Sequence, residues 1–535
     1  MISLLDYGAG NVRSLRNAIH ALGFELTEIE RPADILKAEH LIFPGVGAFG
    51  AAMERLHSLG YVEPLKEYLA AGRPYLGICI GLQTLFEGSD ESPGVAGLGL
   101  IPGQIRRFDE PSLSVPHMGW NGVRVERPSP LFADYQGEKF YFVHSYRAEP
   151  SVQNADWRLA TTDYGQPFLS AVQRGQVAAV QFHPEKSGAV GLKLLKHFLT
   201  GDERVLSGEA LFIEQLKAEP TRFAKRIIAC LDVRTNDQGD LVVTKGDQYD
   251  VREKGAGGDV RNLGKPVDLA QRYYEEGADE VTFLNITAFR DFPLDDQPML
   301  EVLRRTSERV FVPLTIGGGI RAFTDGQGRH NSALDVAHAY FRSGADKVSI
   351  GSDAVETVLE VLARGGKDGT SSIEQIARVY GNQAVVISID PRRVYVDSPA
   401  ATRHFTVETV TPGPNGERFC WFQCTVKGGR EGRDLDVVEL ARVCEDLGAG
   451  EILVNSIDRD GTGAGFDLDL IRAVRGAVRI PVIASSGAGR VEHFSAVFAA
   501  TGVEAALAAG IFHRREVPIA AVKAHLRTQG IETRD

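Results

Sequence analysis

Short apolar runs alternate with longer amphipathic stretches along the whole chain. In the first two hundred residues ISLLDY, HLIFPG, PYLGICIG, FYFVHSY and VAAVQFH are apolar runs of strand length, while residues 11–22 and 188–199 place their apolar positions at helical spacing. PYLGICIG reads as a strand entering a helix. The pattern predicts an α/β domain with mixed strand pairing. Residues 203–221 are charged and helix-prone and end at Pro220, which reads as a connector. The expected division is a first domain at 1–202, the connector at 203–221 and a second domain at 222–535.

The second domain repeats one rhythm. RIIACLDV, EVTFLNIT, VFVPLTIGG, DKVSIGS, AVVISID, EILVNSI, IPVIASSG and AALAAGIF are β-rich runs, with amphipathic segments such as 268–276 and 435–447 between most of them. Eight such runs predict a (β/α)₈ TIM barrel. An internal repeat agrees. GADEVTFLNIT, VPLTIGGGIR and GADKVSIGSDA return as GAGEILVNSIDRDG, IPVIASSGAGR and GVEAALAAGIF, offset by roughly 160–170 residues. Two half-barrels of four strands would close one barrel. Insertions at 250–264 (glycine-rich) and 393–431 (with a PGPNG turn) interrupt the rhythm on the strand-to-helix side, where barrels carry active-site loops.

Composition narrows the function classes. The 535-residue chain is 43% hydrophobic and 24% charged, ordinary for globular domains, and its formal net charge is −12. That balance argues against a general nucleic-acid binder. Anionic ligands would have to be held locally, by glycine loops and helix N-termini. Five cysteines without paired CxxC spacing predict neither a disulfide framework nor a zinc site, so no metal is expected. The longest apolar stretches, such as 383–389 and 504–512, are strand-sized, so no membrane span is expected. No basic region with a long apolar run opens the chain. The expectation is a cytoplasmic protein, with a plastid location left open.

The sharpest chemical motif is GICIG, residues 77–81. A strand delivers Cys79 to a tight turn with a helix beyond it, a cysteine nucleophile elbow. Glycines permit the strained turn, and the helix N-terminus favours a thiolate. QFHPEKS supplies His183 at a strand end as general base and acid, with Glu185 to orient it. Oxyanion donors are also needed. The Ile80 amide is one candidate, and an amide of Val46 or Gly47 in the glycine loop FPGVGAFG is the other. Glycine there would also let a peptide flip and switch the hole on. A lone cysteine is ordinarily a buried apolar residue and a lone His-Pro a turn; it is their combination on one α/β domain that points to acyl transfer.

GICIGLQ with QFHPEKS resembles the class I glutamine amidotransferases. PGVGAFGAAM, PHMGWN and YFVHSY narrow the likeness to the glutaminase subunit of imidazole glycerol phosphate synthase, over residues 1 to about 200. The resemblance implies that Gln83 helps hold glutamine. His117 and His144 read as fold or interface residues rather than extra bases.

In the barrel, Asp232 ends the first strand and Asp390 the fifth, so both point into the mouth, where two carboxylates in different environments divide acid and base work. Two phosphate turns occupy corresponding places in the halves. One joins IGGGIR (Gly318, Gly319) to SIGSDA (Ser349, Gly351, Ser352). The other joins SSGAGR (Ser485, Ser486, Gly487) to LAAG (Ala509, Gly510). A substrate with a phosphate at each end would span them.

AKRIIACLDV, VTFLNIT, LTIGGGIR, DKVSIGS and SIDRDGTGAGFD make residues 222 to the end resemble the cyclase subunit of the same synthase, and two halves on one chain resemble the fused type. The likeness implies this reaction: glutamine is hydrolysed, and ammonia condenses with a phosphoribulosyl-formimino carboxamide nucleotide (PRFAR). The products would be imidazole glycerol phosphate and the aminoimidazole carboxamide nucleotide AICAR. Asp232 and Asp390 would be the acid–base pair, and Lys245 would close over substrate with the loop after it. Asp460, Gly461 and Thr462 fall in the SIDRDGTGAGFD match and are expected at the substrate. Arg226, Glu280, Lys347 and Glu451 would ring the opposite barrel end as an ammonia gate, with Asn285 and Thr287 further along one strand near substrate. Ligands are expected to be glutamine and PRFAR, with no cofactor, and a monomer is expected because both partners are fused.

Other readings are weaker. A glutaminase with a pyridoxal phosphate-forming barrel would need Schiff-base lysines. The sister sugar isomerase barrel would need no ammonia. A noncatalytic phosphate-sugar barrel would have no use for Asp232, Asp390 and Lys245.

Overall fold

The computed structural model describes residues 2–8, 10–201, 220–235, 241–244, 265–285, 294 and 297–535. Lys245, Thr287, the 250–264 insertion and most of the 203–221 connector lie outside the described residues.

The first half is built on an eight-stranded sheet. Five short strands pair in parallel in the order Leu26–Glu28, Ile2–Leu4, His40–Phe43, Tyr75–Ile78 and Val177–Val180. Gln166–Arg174, Arg158–Tyr164 and Arg124–Val125 extend the sheet antiparallel. The mixed pairing read from the sequence is what is found. The inner parallel strands Tyr75–Ile78 and Val177–Val180 are wholly buried, as strands covered on both faces must be, whereas the edge strand Leu26–Glu28 is largely exposed. The helix Val12–Ala21 begins where the pattern placed it, because the Asn11 side chain accepts the Ser14 amide. Gly188–Thr200 closes the domain and stops at Gly201 in the left-handed region.

A two-stranded ribbon, His117–Asn121 with Phe140–His144, joins the halves. Strand alternation explains how. Met118, Trp120, Tyr141 and Val143 pack into the barrel's core cluster, whereas Phe140 and Phe142 pack into the first domain's. One ribbon thus serves two cores.

All eight predicted barrel runs form strands, all parallel: Arg226–Thr235, Glu280–Asn285, Leu314–Gly317, Lys347–Ile350, Val385–Ile389, Glu451–Asn455, Val482–Ser485 and Ala505–Ala508. Pairing of the last with the first closes the barrel. A hairpin strand, Leu241–Thr244, adds antiparallel to the first. The insertion after the fifth strand is ordered beyond its predicted turn. Pro391–Val396, Thr406–Glu408, Phe419–Val426 and Glu431–Asp436 form an antiparallel sheet on the strand-to-helix side. Among the described residues no helix is long and apolar enough to cross a membrane.

Candidate functional site

Cys79 stands between the strand Tyr75–Ile78 and the one-turn helix Ile80–Gln83, with φ 53°. A non-glycine residue there is strained. Its amide is fixed to the Val180 carbonyl at 2.8 Å, and the glycines on either side are obligatory. A Cβ at Gly77 would sit 2.5 Å from the Gly81 carbonyl oxygen, and one at Gly81 would sit 2.1 Å from the Phe43 carbonyl oxygen. Packing therefore forces the elbow and leaves the sulfur at the turn.

His183 caps the strand Val177–Val180 region, and its Nδ1 lies 2.8 Å from Glu185 Oε1. His183 Nε2 is buried with no hydrogen-bond partner among the described residues. Burial alone would lower the imidazole, but the Glu185 charge and then the Cys79 sulfur hold it up at about 10. The histidine is thus poised as an imidazolium beside the Cys79 sulfur, the form that protonates a departing amine.

The oxyanion candidates lie on adjoining loops. The Ile80 amide points at the Gly45 carbonyl, 3.5 Å away. The Val46 carbonyl accepts from the Tyr7 hydroxyl at 3.3 Å, and Gly47 has φ 156°. Gly47 also touches the barrel: a Cβ there would be 3.3 Å from both the Tyr7 hydroxyl and the Val379 carbonyl. Gln83 is buried, and its amide donates to Tyr146 O and Gln181 Oε1, both at 3.1 Å. Gln181 in turn donates to Cys79 Sγ at 3.4 Å. Sequence reasoning assigned Gln181 nothing, although it opens the QFHPEKS motif. His117 and His144 bond each other at 3.1 Å. Burial lowers both, His144 to about 3, so they are neutral packing groups.

Between the domains, the four gate candidates meet in one buried ring. Arg226 Nη1 is 2.9 Å from Glu280 and Nη2 bonds Glu451, while Lys347 Nζ is 2.7 Å from Glu280 and 2.6 Å from Glu451. All four are at most 1% exposed. Burial would raise the Glu451 carboxyl, but Arg226 and Lys347 bring it below its usual value; the two glutamates in turn raise Arg226. Thr315, which the sequence did not flag, donates to Glu280 at 2.7 Å. Met118 of the ribbon sits 3.6 Å from Lys347 Nζ.

Strand alternation carries the line inward from this ring. Arg226, Ile228, Cys230 and Asp232 follow one face of the first strand, and Ile228, Cys230, Val386, Leu453, Ile483 and Leu507 form an apolar cluster inside the barrel. Beyond it opens a cavity of about 670 Å³. Asp232 and Asp390 both line it. So do Gly318 and Gly319 with Ser349, Gly351 and Ser352, and on the other side Ser485, Ser486 and Gly487 with Ala509 and Gly510. Asn285, Asp460, Gly461 and Thr462 complete the same wall. Asn455, unflagged by the sequence, donates to Asp390 Oδ1 at 3.0 Å and to Ser388 at 3.1 Å. Ser349 Oγ and Asn285 Oδ1 are buried without hydrogen-bond partners among the described residues. Polar groups that converge on one cavity from duplicated glycine turns suit a ligand with two anionic ends.

Comparison with known proteins agrees with this layout. Residues 3–201 match the family described as "Glutamine amidotransferase class-I", and residues 226–518 match the family described as "Histidine biosynthesis protein". The chain is 58% identical to imidazole glycerol phosphate synthase hisHF, chloroplastic, of Arabidopsis thaliana, covering 100% of this chain and 89% of that one. It is 55% identical to imidazole glycerol phosphate synthase hisHF of Emericella nidulans (100% and 98% covered) and 54% identical to that of Schizosaccharomyces pombe (100% of each).

Proposed function

Because the chain belongs to the family of fused imidazole glycerol phosphate synthases, and is a bifunctional glutaminase and cyclase that produces imidazole glycerol phosphate and AICAR, we propose the following division of labour among its residues. The glutaminase is residues 1–202 and the cyclase 222–535, joined by 203–221. Cys79 attacks the glutamine amide, His183 protonates the amide nitrogen so that it leaves as ammonia and then takes a proton from the water that hydrolyses the thioester to glutamate, and Glu185 orients His183. The Ile80 amide and an amide freed by rotation of the Val46–Gly47 peptide hold the oxyanion. The Tyr7 bond to the Val46 carbonyl opposes that rotation, so the glutaminase rests in a restrained form until PRFAR fills the barrel mouth. Gln83 and Gln181 form the wall behind the sulfur.

Ammonia then crosses the Arg226–Glu280–Lys347–Glu451 ring. With each glutamate bonded to both cations the ring is shut, and one side chain must swing to pass a molecule. The apolar wall beyond favours neutral ammonia over ammonium, which would be costly to desolvate. At the mouth Asp232 and Asp390 exchange protons with PRFAR, whose phosphates rest on the two glycine turns, and Asn455 fixes the Asp390 carboxylate. Lys245 would close over the substrate. With both active sites on one chain, the protein works as a monomer.

The observation that carries this reading is the buried charged ring, which stands between a cysteine hydrolase site and a two-phosphate cavity. Its test is PRFAR turnover by wild type and Cys79→Ser, each with glutamine and then with ammonium at mildly alkaline pH. The variant should fail with glutamine and work with ammonium. A folded wild type that used neither nitrogen source would overturn the cyclase assignment.

A further inference from the structure

The insertion after the fifth barrel strand returns to the substrate cavity at one point. The strand Phe419–Val426 ends in three consecutive residues in the left-handed region, Lys427, Gly428 and Gly429, with φ 56°, 65° and 82°. The strand Glu431–Asp436 then leads away. The turn is fastened once to the helix Ser352–Arg364, and the strand that follows it is fastened a second time. The Lys427 amide donates to Ser352 Oγ at 3.1 Å, and the Arg433 guanidinium pairs with Glu356 at 2.7 Å. Gly428 lines the cavity.

The helix so clamped is the one whose first turn forms the phosphate turn of the first half-barrel, with Gly318, Gly319 and Gly351. Beside it Ser349 is 2% exposed, lines the cavity, and has no hydrogen-bond partner for its hydroxyl among the described residues. A buried hydroxyl left unpaired is costly and awaits an acceptor. The second half-barrel is built otherwise. The repeat puts Leu507 where Ser349 stands, and Gly510 where Ser352 stands. Its 507–510 segment has neither a hydroxyl like that of Ser349 nor a side chain that could anchor the insertion, and the hydroxyls at that end of the cavity come instead from Ser485 and Ser486 of the other turn.

We propose that the turn at residues 427–430 is a fixed cover over the first half-barrel's phosphate turn, and that with Ser349 it makes the two ends of the cavity unequal, so that a substrate with two phosphates binds in one orientation. This rests on the reading that the cavity takes PRFAR. The cover acts by enclosing one phosphate between the helix N-terminus and the Gly428–Gly429 peptide, where water is excluded and each hydrogen bond counts for more.

Gly428→Asp and Gly428→Asn separate charge from shape, since both residues tolerate left-handed backbone and have the same size. In ammonium-driven turnover the Asp variant should raise KM for PRFAR about tenfold over the Asn variant, with kcat within about twofold, because a carboxylate would face a phosphate. The two products each inherit one substrate phosphate. Inhibition by one should weaken in step with KM, and inhibition by the other should hold. Equal KM values for Asp and Asn, or equal weakening of both products, would remove the cover. Should both Gly428 variants fail to give the wild-type circular dichroism and melting curve, Lys427→Glu against Lys427→Gln repeats the comparison at an exposed side chain, with about threefold expected. Wild-type turnover in the same assay tests the PRFAR reading separately: turnover with indifferent variants removes only the cover.

Discussion

Lys186 and Asp346 form an ion pair across the two domains, with Nζ 2.7 Å from Oδ2. Each is the chain neighbour of a functional group: Glu185, bonded to His183, on one side, and Lys347 of the charged ring on the other. Asp346 also accepts the Asn11 amide at 2.8 Å and the Leu314 backbone amide at 2.8 Å. The proposed glutaminase triad and the proposed gate are therefore each flanked in sequence by one member of a single ion pair.

Lys186→Met removes the link and leaves Asp346 its hydrogen bonds. The expected result is a fall of about tenfold in the rise of glutaminase rate that PRFAR produces, with ammonium-driven turnover kept within about twofold. Unchanged stimulation would show that the pair only holds the domains together.

Tyr7→Phe deletes the hydroxyl that holds the Val46 carbonyl. One neutral hydrogen bond is worth about 1 kcal/mol, so the unstimulated glutaminase rate should rise about fivefold. Measured glutamate release without PRFAR decides it, and no rise means the Tyr7 bond is not the restraint.

Glu185→Gln removes the largest charge that holds His183 up. His183 stands at about 10, above its ordinary 6.5, despite burial, through Glu185 and Cys79. The stabilisation of its charged form is complete below the ordinary value and is lost as pH rises through about 10. Without the Glu185 charge, the alkaline limb of the glutaminase pH profile should move to lower pH. A limb that stays in place assigns it to another group.

Lys347→Met leaves two buried glutamates with one cation. Breaking a buried pair on one side costs about 3–5 kcal/mol, so the ring should lose its closed geometry. Glutaminase activity should persist while the ratio of glutamate to imidazole glycerol phosphate climbs above the wild-type value. A ratio equal to wild type would mean that the ring does not control passage.

Asp390→Asn should lower ammonium-driven kcat about 10²–10⁴-fold, the range of general acid–base catalysis. Asn455→Ala, which removes the 3.0 Å bond to Asp390, should lower kcat about tenfold with little change in KM. A rise in KM alone would make Asn455 a substrate-binding residue.

The sequence by itself determined what short-range pattern can encode. Eight apolar runs at barrel spacing became eight parallel strands, and the glycines around Cys79 specified an elbow because no side chain fits there. The apolar runs announced Asp390 just past the end of its strand and Asp232 near the end of the first, which in fact runs on to Thr235, and the repeat announced two matching glycine turns. What only the tertiary structure decided are pairings between distant segments. Gln181 meets Cys79, Asn455 meets Asp390, Thr315 meets Glu280, Lys186 meets Asp346, and the turn at 427–430 meets Ser352. The physical reason is common to all. Periodicity fixes which face of a strand or helix a side chain occupies, but the partner it finds depends on barrel closure, on the register of strands from far along the chain, and on how the ribbon seats one domain on the other.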